Sequence, residues 1–431
     1  MRMQEYSSRQ QHRQTLRERG SLPEGFRIAV SSLQFVPEER PSTDPFKMNV
    51  SLILADEPCR SFGLSLTKNR IPGAPIVRAR ALLGGESLQG ILINNRVANV
   101  CTETGVEDAG DILAHLGGEL GLNPSVLLSS STGIIGWRLP VEPMKAALPG
   151  LVAQLGHDSL LTVAEFIMTT DSFPKLRRIE LGGGSIVGIA KGAGMIEPNM
   201  ATMLAFILTD LDVPRELLRE ELAGAVNASF NRISVDGDQS TSDMVVALAS
   251  GRREKPDPGE FREALALICR QLAEDVVRNG EGTRHVLRTT VSGAQSEPQA
   301  AAVAKAVVNS PLVKTALYGN DPNVGRIIAA VGDYCGNHDI AIDSHNVQLS
   351  IGEESVFFAG SFHLDKAKEL RLSRYLQSTE LLPNNTAGLE YPPHEMCVEI
   401  AIDLGLGSAS ATVYGSDLSD EYVRINADYR T

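Results

Sequence analysis

Short apolar runs and amphipathic stretches alternate along this 431-residue chain. Short runs of apolar and β-branched residues bounded by polar residues are typical of strands. Such runs lie at residues 50–55, 90–95, 125–130, 346–351, 355–360, 398–404 and 408–415. Apolar residues that recur at intervals of three and four predict helices. These stretches cover residues 106–120, 141–155, 159–168, 214–231, 258–278 and 297–308.

The order of these elements indicates the fold class. Predicted helices cluster in the middle and predicted strands return near the C-terminus, without a strict β-α-β alternation. Runs of this kind favour layered α+β folds over a doubly wound parallel sheet. We therefore predict an α+β sandwich of stacked β-sheets flanked by helices. Residues 37–47 and 379–394, which are rich in Pro, Asn and acidic residues, are expected to be surface loops.

Charge and hydropathy exclude several classes of protein. The chain has 40 Lys and Arg against 53 Asp and Glu, a net charge of -13 that disfavours nonspecific nucleic-acid binding. No run approaches the roughly 18 apolar residues of a membrane-spanning helix, and the N-terminus lacks an apolar signal core. We expect a cytoplasmic protein without nucleic-acid or membrane partners. Residues 1–21 carry five arginines interrupted by Glu5 and Glu18, and are expected to be a flexible tail.

Common cofactor and metal motifs are absent from the sequence. The glycine-rich segment 181–194 has neither the dinucleotide-binding G-x-G-x-x-G spacing nor a P-loop. Segment 236–243, DGDQSTSD, has glycine at the second position of a calcium-loop pattern and no glutamate at the twelfth, so it is expected to be a turn. His394 and Cys397 are spaced like metal ligands, but no second pair accompanies them. We therefore expect no cofactor and no metal.

Segment 191–204, KGAGMIEPNMATML, is unlike an ordinary turn followed by a strand. Other distinctive motifs occur in order along the chain from about Leu22 onward. They are LTKNRIPGAPIV (66–77), SSTGIIG (130–136), IMTTDSFPK (167–175), SVDGDQSTSD (234–243), NGEGT (279–283), SPLVKTALYGNDPNVGRIIAAVG (310–332) and SDLSDEYVRINADYRT (416–431). Together they resemble the ornithine acetyltransferase family, the glutamate N-acetyltransferases of arginine biosynthesis. The resemblance implies a layered fold similar to that of N-terminal-nucleophile hydrolases.

The resemblance also implies self-cleavage between Ala201 and Thr202. An alpha fragment, 22–201 after the tail, and a beta fragment, 202–431, would remain associated, in a heterotetramer. Thr202 would be the nucleophile, and its new α-amine, with an ordinary pKa of about 7.7–8.0, would serve as the base. Acetyl would pass from N2-acetyl-L-ornithine to L-glutamate through an acetyl-threonine ester, giving ping-pong kinetics.

Further site residues follow from the same resemblance. The hydroxyl of Thr132 and the backbone N–H of Gly133 would stabilise the oxyanion. Substrate contacts would come from Thr169, Lys191, Thr202, Glu281, Asn426 and Thr431. A lysine offers a positive charge to a carboxylate, a glutamate receives an ammonium group, and an asparagine can both donate and accept.

Two segments depart from the family pattern. In INNRVANVC (93–101), Arg96 and Val97 stand where small residues are expected, and Trp137 and Arg138 follow SSTGIIG, where a polar or acidic residue is common. These departures leave open a paralogous acyltransferase or amidohydrolase that acts on another N-acyl amino acid. Use of acetyl-CoA also stays open, as does an uncleaved, non-catalytic homologue.

Overall fold

The strands form three sheets, and helices pack on their outer faces. The computed structural model describes residues 5–41, 44–197, 203–382 and 389–427. Within these ranges the helices are α1 Arg9–Arg19, α2 Ala74–Leu82, α3 Gly105–Leu120, α4 Val141–Ala153, α5 Leu161–Phe166, α6 Arg215–Ala228, α7 Pro258–Arg278, α8 Glu297–Asn309, α9 Pro311–Tyr318, α10 Val324–Asn337, α11 Lys366–Ser378 and α12 Asp420–Ala427. The strands in the same ranges are β1 Phe26–Phe35, β2 Phe46–Cys59, β3 Ser61–Leu66, β4 Leu88–Asn94, β5 Leu127–Ser131, β6 Lys175–Leu181, β7 Gly184–Lys191, β8 Leu204–Leu211, β9 Ile233–Ser234, β10 Met244–Arg253, β11 Val286–Ala294, β12 Gln348–Ile351, β13 Glu354–Phe358, β14 Ser361–Phe362, β15 Val398–Asp403 and β16 Ala409–Ser416.

All three sheets are mixed. The first has the order β1-β2-β4-β5, the second β3-β10-β8-β7-β6, and the third β14-β13-β12-β15-β11-β16-β9, among the described residues. Strands β4 and β5 run parallel, as do β8 and β10, and β11 and β15. Strands β7 and β8 are antiparallel neighbours, with Lys191 opposite Leu204. Segment 192–203 therefore connects two adjacent strands of the second sheet.

The first two sheets pack face to face, as the alternation along β2 illustrates. Ile53 contributes to the core between the sheets, together with Phe206 of β8. Leu52 and Leu54 belong to the core on the other face, beneath helices α3 and α4. Successive side chains of a strand point to opposite faces, so the apolar run 52–55 of β2 contributes to two cores at once.

The outer face of the second sheet is covered by α6 and α7. The apolar side of α7, including Phe261 and Leu272, packs there with Leu222 of α6. The order of layers is thus helices, sheet, sheet, helices, with the third sheet and α8 to α11 enclosing a further core. The predicted α+β sandwich of stacked sheets flanked by helices is confirmed.

The N-terminal region differs from the expected flexible tail. Within residues 5–21, α1 begins at Arg9 and is capped by Ser8, whose side chain accepts a hydrogen bond from the N–H of Gln11. His12 and Leu16 are buried, and burial lowers the pKa of His12 to about 4, so this imidazole is neutral. Arg13 pairs with Glu165 at 2.6 Å. The sequence pattern did not reveal α1, because its exposed side carries many arginines and its apolar face is short. That face packs the helix against the rest of the protein.

The glycine-rich segment forms a tight hairpin. Gly182 and Gly183 connect β6 to β7 with φ of 55° and 75°, a left-handed pair that glycine adopts at little cost. The glycines of this loop are therefore explained by the turn that they form.

In the described part of the chain, no helix is long and apolar enough to cross a membrane.

Candidate active site

Six of the residues singled out in the sequence line one cavity of about 290 Å³. They are Thr132, Gly133, Thr169, Lys191, Glu281 and Asn426. Ala201, Thr202 and Thr431 lie outside the described residues. Met203 and Leu204, which follow Thr202 in the sequence, also line the cavity. The structure thus brings together side chains from segments that are far apart in the chain, while their individual roles stay predictions.

The loop that follows β5 presents Thr132 and Gly133. The N–H groups of Thr132 and Ile134 donate to the carbonyls of Asn94 and Arg96, at 3.0 and 2.9 Å. Gly133 has a φ of 131°, and a Cβ there would lie 2.2 Å from the carbonyl carbon of Arg96. Only glycine fits this position, because both the backbone conformation and the space exclude a side chain.

Lys191, the last residue of β7, points to the same loop. Its ammonium donates to Thr132 Oγ1 at 3.1 Å. A lysine ammonium has no acceptor, so Thr132 must be the acceptor in this bond and keeps its own O–H proton for another partner. The pair therefore presents a hydroxyl donor beside a positive charge, which suits an oxygen that becomes negative during a reaction.

Glu281 supplies a carboxylate on another side of the cavity. It follows α7, is 7% exposed, and its Oε2 accepts from Asn426 Nδ2 of α12 at 2.7 Å. The Glu281 N–H donates to Ala193 O at 2.9 Å. At Gly194, a Cβ would lie 2.4 Å from Glu281 Oε2. The glycine therefore lets the carboxylate approach the backbone of the loop after β7.

A buried ion pair fixes three of the segments that form the cavity. Lys175 Nζ contacts Asp171 Oδ1 at 2.5 Å, and both side chains are 0% exposed. Asp171 accepts from the N–H groups of Thr169 at 3.0 Å and Gly192 at 2.8 Å. Lys175 also donates to Asn279 Oδ1 at 2.7 Å, two residues before Glu281. The pair thus ties together the backbone beside Thr169, Lys191 and Glu281.

Nearby positive charges keep the Asp171 carboxylate ionised. Burial opposes ionisation of Asp171, but the charges of Lys175 and Lys191 outweigh it and hold the pKa of Asp171 below its usual range. Burial lowers the pKa of Lys175, against the effect of Asp171. The sequence contained both residues in IMTTDSFPK but gave no signal that they pair, since this segment is not helical.

The loop before β10 forms another part of the wall and was not predicted to do so. Ser240, Thr241, Ser242 and Asp243 line the cavity. Asp236, at the start of this loop, accepts from the N–H groups of Met195 and Ile196 at 2.7 and 2.8 Å. The segment expected to be a simple turn therefore also anchors the chain that precedes residues 198–202.

Lys314 supports the same loop from below. It is 4% exposed and donates to Val235 O at 2.8 Å and to the carbonyl of Ser416. Burial lowers the pKa of Lys314 to about 8. Its motif, SPLVKTALYG, was recognised, but its reach to Val235 depends on tertiary structure that the sequence alone does not reveal.

The cavity combines a cation, a carboxylate and a hydrogen-bonded loop with a hydroxyl donor. Opposite charges at Lys191 and Glu281 can bind the carboxylate and the ammonium of an amino acid. The described residues contain no group of three or more His, Cys, Asp or Glu placed to hold a metal ion. The chemistry that this arrangement can support is acyl transfer at an amide or ester carbonyl.

Comparison with known proteins places this chain in a family. A model of the ArgJ family matches residues 41–431. The chain belongs to the ArgJ family. The resemblance to ornithine acetyltransferases deduced from the sequence motifs is thereby confirmed, and the matched region contains every residue of the cavity described above.

Two individual ArgJ relatives align over nearly the whole chain. The arginine biosynthesis bifunctional protein ArgJ of Rhodococcoides fascians is 37% identical over 410 residues, which are 95% of this chain and 94% of the relative. The protein of the same name from Geobacter sulfurreducens is 37% identical over 414 residues, 93% of this chain and all of the relative (100%). A crystal structure of ArgJ from Bacillus halodurans is 35% identical and has a TM-score of 0.46, covering 52% of this chain and 99% of that one.

Proposed function

We propose that the chain is a glutamate N-acetyltransferase that moves acetyl from N2-acetyl-L-ornithine to L-glutamate. The family and the names of its relatives support an enzyme of arginine biosynthesis, and the resemblance of the sequence motifs to ornithine acetyltransferases supports acetyl transfer. The observation that carries the proposal is the convergence of Thr132, Gly133, Lys191 and Glu281 on one cavity, beside Met203. Met203 is the residue after the proposed nucleophile, Thr202.

In the first half-reaction, the Thr202 hydroxyl attacks the acetyl carbonyl of the donor. The α-amine of Thr202, free after cleavage at Ala201, takes the hydroxyl proton, because its ordinary pKa of about 7.7–8.0 is near neutral pH. The carbonyl oxygen becomes negative and accepts hydrogen bonds from Thr132 and Gly133, each of which lowers the barrier by about 3 kcal/mol. The C–N bond then breaks, the proton passes to the ornithine nitrogen, and an acetyl ester remains on Thr202.

In the second half-reaction, the amine of glutamate attacks this ester. The ester C–O bond breaks, the proton lost by the attacking amine returns to the Thr202 oxygen through the α-amine, and N-acetylglutamate leaves. Glutamate and ornithine each carry an α-carboxylate that fits Lys191, while Glu281 and Asn426 fit an ammonium group. We assign Thr169 and Thr431 to further substrate contacts. No metal or cofactor enters this scheme.

The order of the second sheet supports lasting association of the two proposed fragments. Cleavage at Ala201 would leave β3, β6 and β7 in one fragment and β8 and β10 in the other. In the order β3-β10-β8-β7-β6, strands β10 and β8 lie between β3 and β7 of the other fragment, so the two fragments are hydrogen-bonded along both sides of the β10–β8 pair. We propose that the fragments 22–201 and 202–431 stay paired, and that two such pairs form a heterotetramer.

An acetyl-transfer assay tests the proposal. Purified protein is incubated with N2-acetylornithine and glutamate, and N-acetylglutamate is measured by mass spectrometry. Thr202→Ala should abolish the product. Thr315→Ala should leave it unchanged, because Thr315 is an exposed threonine of α9 whose hydroxyl contacts only Pro311, Leu312 and Arg326 among the described residues and does not line the cavity. Absence of product from the wild type, or equal product from Thr202→Ala, would overturn the proposal. Free acetate without acceptor would favour the hydrolase alternative.

A further inference from the structure

Arg96 adopts a conformation that arginine rarely takes. Its φ is 72°, in the left-handed region that favours glycine. Its backbone is held there, since Arg96 O accepts from the N–H of Ile134 at 2.9 Å and Gly133 packs directly against its carbonyl. Strained backbone of this kind concentrates at functional sites, where the surrounding structure maintains it. The mechanism above gives Arg96 no role.

The side chain of Arg96 rests on an aromatic stack. Its guanidinium carbon lies 5.9 Å from the centre of the Phe46 ring, and Phe46 meets Trp137 edge to face at 5.3 Å. Trp137 is 1% exposed. The Arg96 Nε donates to Lys47 O at 3.4 Å. The two departures from the family pattern, Arg96 and Trp137, are thus parts of one structural unit, in which rings beneath a cation restrict its movement.

Arg96 also lines a second cavity of about 220 Å³ that adjoins the first. The two cavities share the walls Gly133, Ile134, Thr169 and Thr170. Among the described residues around the second cavity, Arg96 is the one with a charged side chain. No described carboxylate lies within ion-pair distance of its guanidinium. An arginine without a carboxylate partner favours an anionic ligand, and a carboxylate matches the planar donor groups of its guanidinium.

We propose that the second cavity is an acyl-group subsite in which Arg96 binds a carboxylate at the far end of the acyl chain. This inference rests on the proposed function. The carbonyl carbon of an N-acyl amino acid bears two substituents, the amine portion and the acyl chain. Of these two cavities, only the larger is lined by Lys191, Glu281 and Asn426, and it takes the amino acid. The acyl chain then extends past Gly133 into the smaller cavity.

The further class of donor, beside the acetylated amino acid, is therefore an amino acid N-acylated with a short dicarboxylic acid, for which succinyl is the probe. The reaction has the same balance as acetyl transfer. Thr202 oxygen forms the ester as the amide C–N bond breaks, and its proton goes to the departing amine. The acceptor amine then displaces the Thr202 oxygen, which regains a proton, and the distal carboxylate takes no part in either step.

The test compares three donors with glutamate as the acceptor. N2-Succinylornithine, N2-butyrylornithine and N2-acetylornithine are assayed by mass spectrometry of the N-acylglutamate product. Butyryl has a chain of similar length without the carboxylate, so the succinyl-to-butyryl ratio of kcat/KM isolates the charge. Arg96→Gln should lower this ratio about tenfold through the KM for succinyl donor, as expected for a partly exposed charge-assisted hydrogen bond. Arg96→Lys should restore part of it.

Two further variants separate charge from folding. Arg96→Gly removes the charge and relieves the left-handed strain, and should lower the ratio as Arg96→Gln does. Arg138→Gln is the matched control. Arg138 directly follows Trp137 in the sequence, pairs with Glu38 at 3.0 Å and lines neither cavity. The control should keep the wild-type ratio. Acetyl transfer, measured for every variant, separates loss of the distal carboxylate contact from a general loss of activity.

The outcomes distinguish this inference from the proposed function. Acetyl transfer with no preference for succinyl over butyryl overturns the inference and leaves the proposed function standing. A preference that survives Arg96→Gln and Arg96→Gly overturns the assignment to Arg96. Failure to form any N-acylglutamate from the three donors overturns the proposed function and the inference with it.

Discussion

Removal of the cation from the buried Asp171–Lys175 pair should destabilise the fold strongly. Lys175→Met preserves much of the side-chain volume but leaves Asp171 without its closest cation. Both side chains are 0% exposed and their charged atoms are 2.5 Å apart. Loss of one partner from a buried pair costs about 3–5 kcal/mol. This corresponds to roughly two to four orders of magnitude in the unfolding equilibrium.

Two variants calibrate that magnitude. Arg371→Met removes a cation from an ion pair with Glu354 in which the side chains are 55% and 29% exposed, and should change the free energy of unfolding little, because solvent screens this pair. The double variant Asp171→Asn, Lys175→Met leaves no isolated charge and should be more stable than Lys175→Met alone.

Equilibrium urea unfolding can measure these differences. Trp137 is the one tryptophan in the sequence and is buried, so its fluorescence reports on the first sheet and its helices. Far-ultraviolet circular dichroism should give a coincident transition if unfolding is two-state. A loss below about 1 kcal/mol for Lys175→Met, equal to that for Arg371→Met, would refute the assignment of a desolvated pair.

Three further changes have defined outcomes. Gly133→Ala would place a methyl group 2.2 Å from the carbonyl carbon of Arg96, so it should displace the loop and lower kcat for acetyl transfer by at least about 100-fold at saturating donor. Lys191→Met should lower kcat/KM for N2-acetylornithine by about tenfold or more in steady-state assays, and an unchanged value would argue against its role. Burial opposes protonation of His285, but Asp417 outweighs it and raises the pKa of this imidazole. The stabilisation by His285 should thus be complete below about pH 6.5 and disappear as the pH rises through the higher folded pKa, so the advantage over His285→Asn in urea unfolding should shrink as the pH is raised from about 6.5.

Local sequence pattern predicted much of the architecture where amphipathic periodicity was strong. The helix expected at 258–278 coincides with α7, and the strand expected at 90–95 overlaps β4. Helix α1 was missed, because two buried side chains among many polar residues give little periodic signal. Its stability comes from packing on the body, which no local propensity encodes.

The members of the candidate site were predictable only through the family motifs. Composition and spacing alone predicted that Lys191 and Glu281 are ordinary surface charges. The structure places both at one cavity. Lys191 is the last residue of β7, Glu281 lies in the turn that follows α7, and the two ends meet there. Contacts such as Lys175 with Asn279 join segments over 100 residues apart, so only the packing of the layers reveals them.

The central claim, a covalent acyl intermediate on Thr202, is tested most directly by denaturing intact-mass analysis with and without N2-acetylornithine. Two fragments that divide between Ala201 and Thr202 are expected. The fragment 202–431 alone should become heavier by one acetyl group when the donor is added, and should lose it again on addition of glutamate. A single uncut chain, or acetyl on the other fragment, would contradict the account.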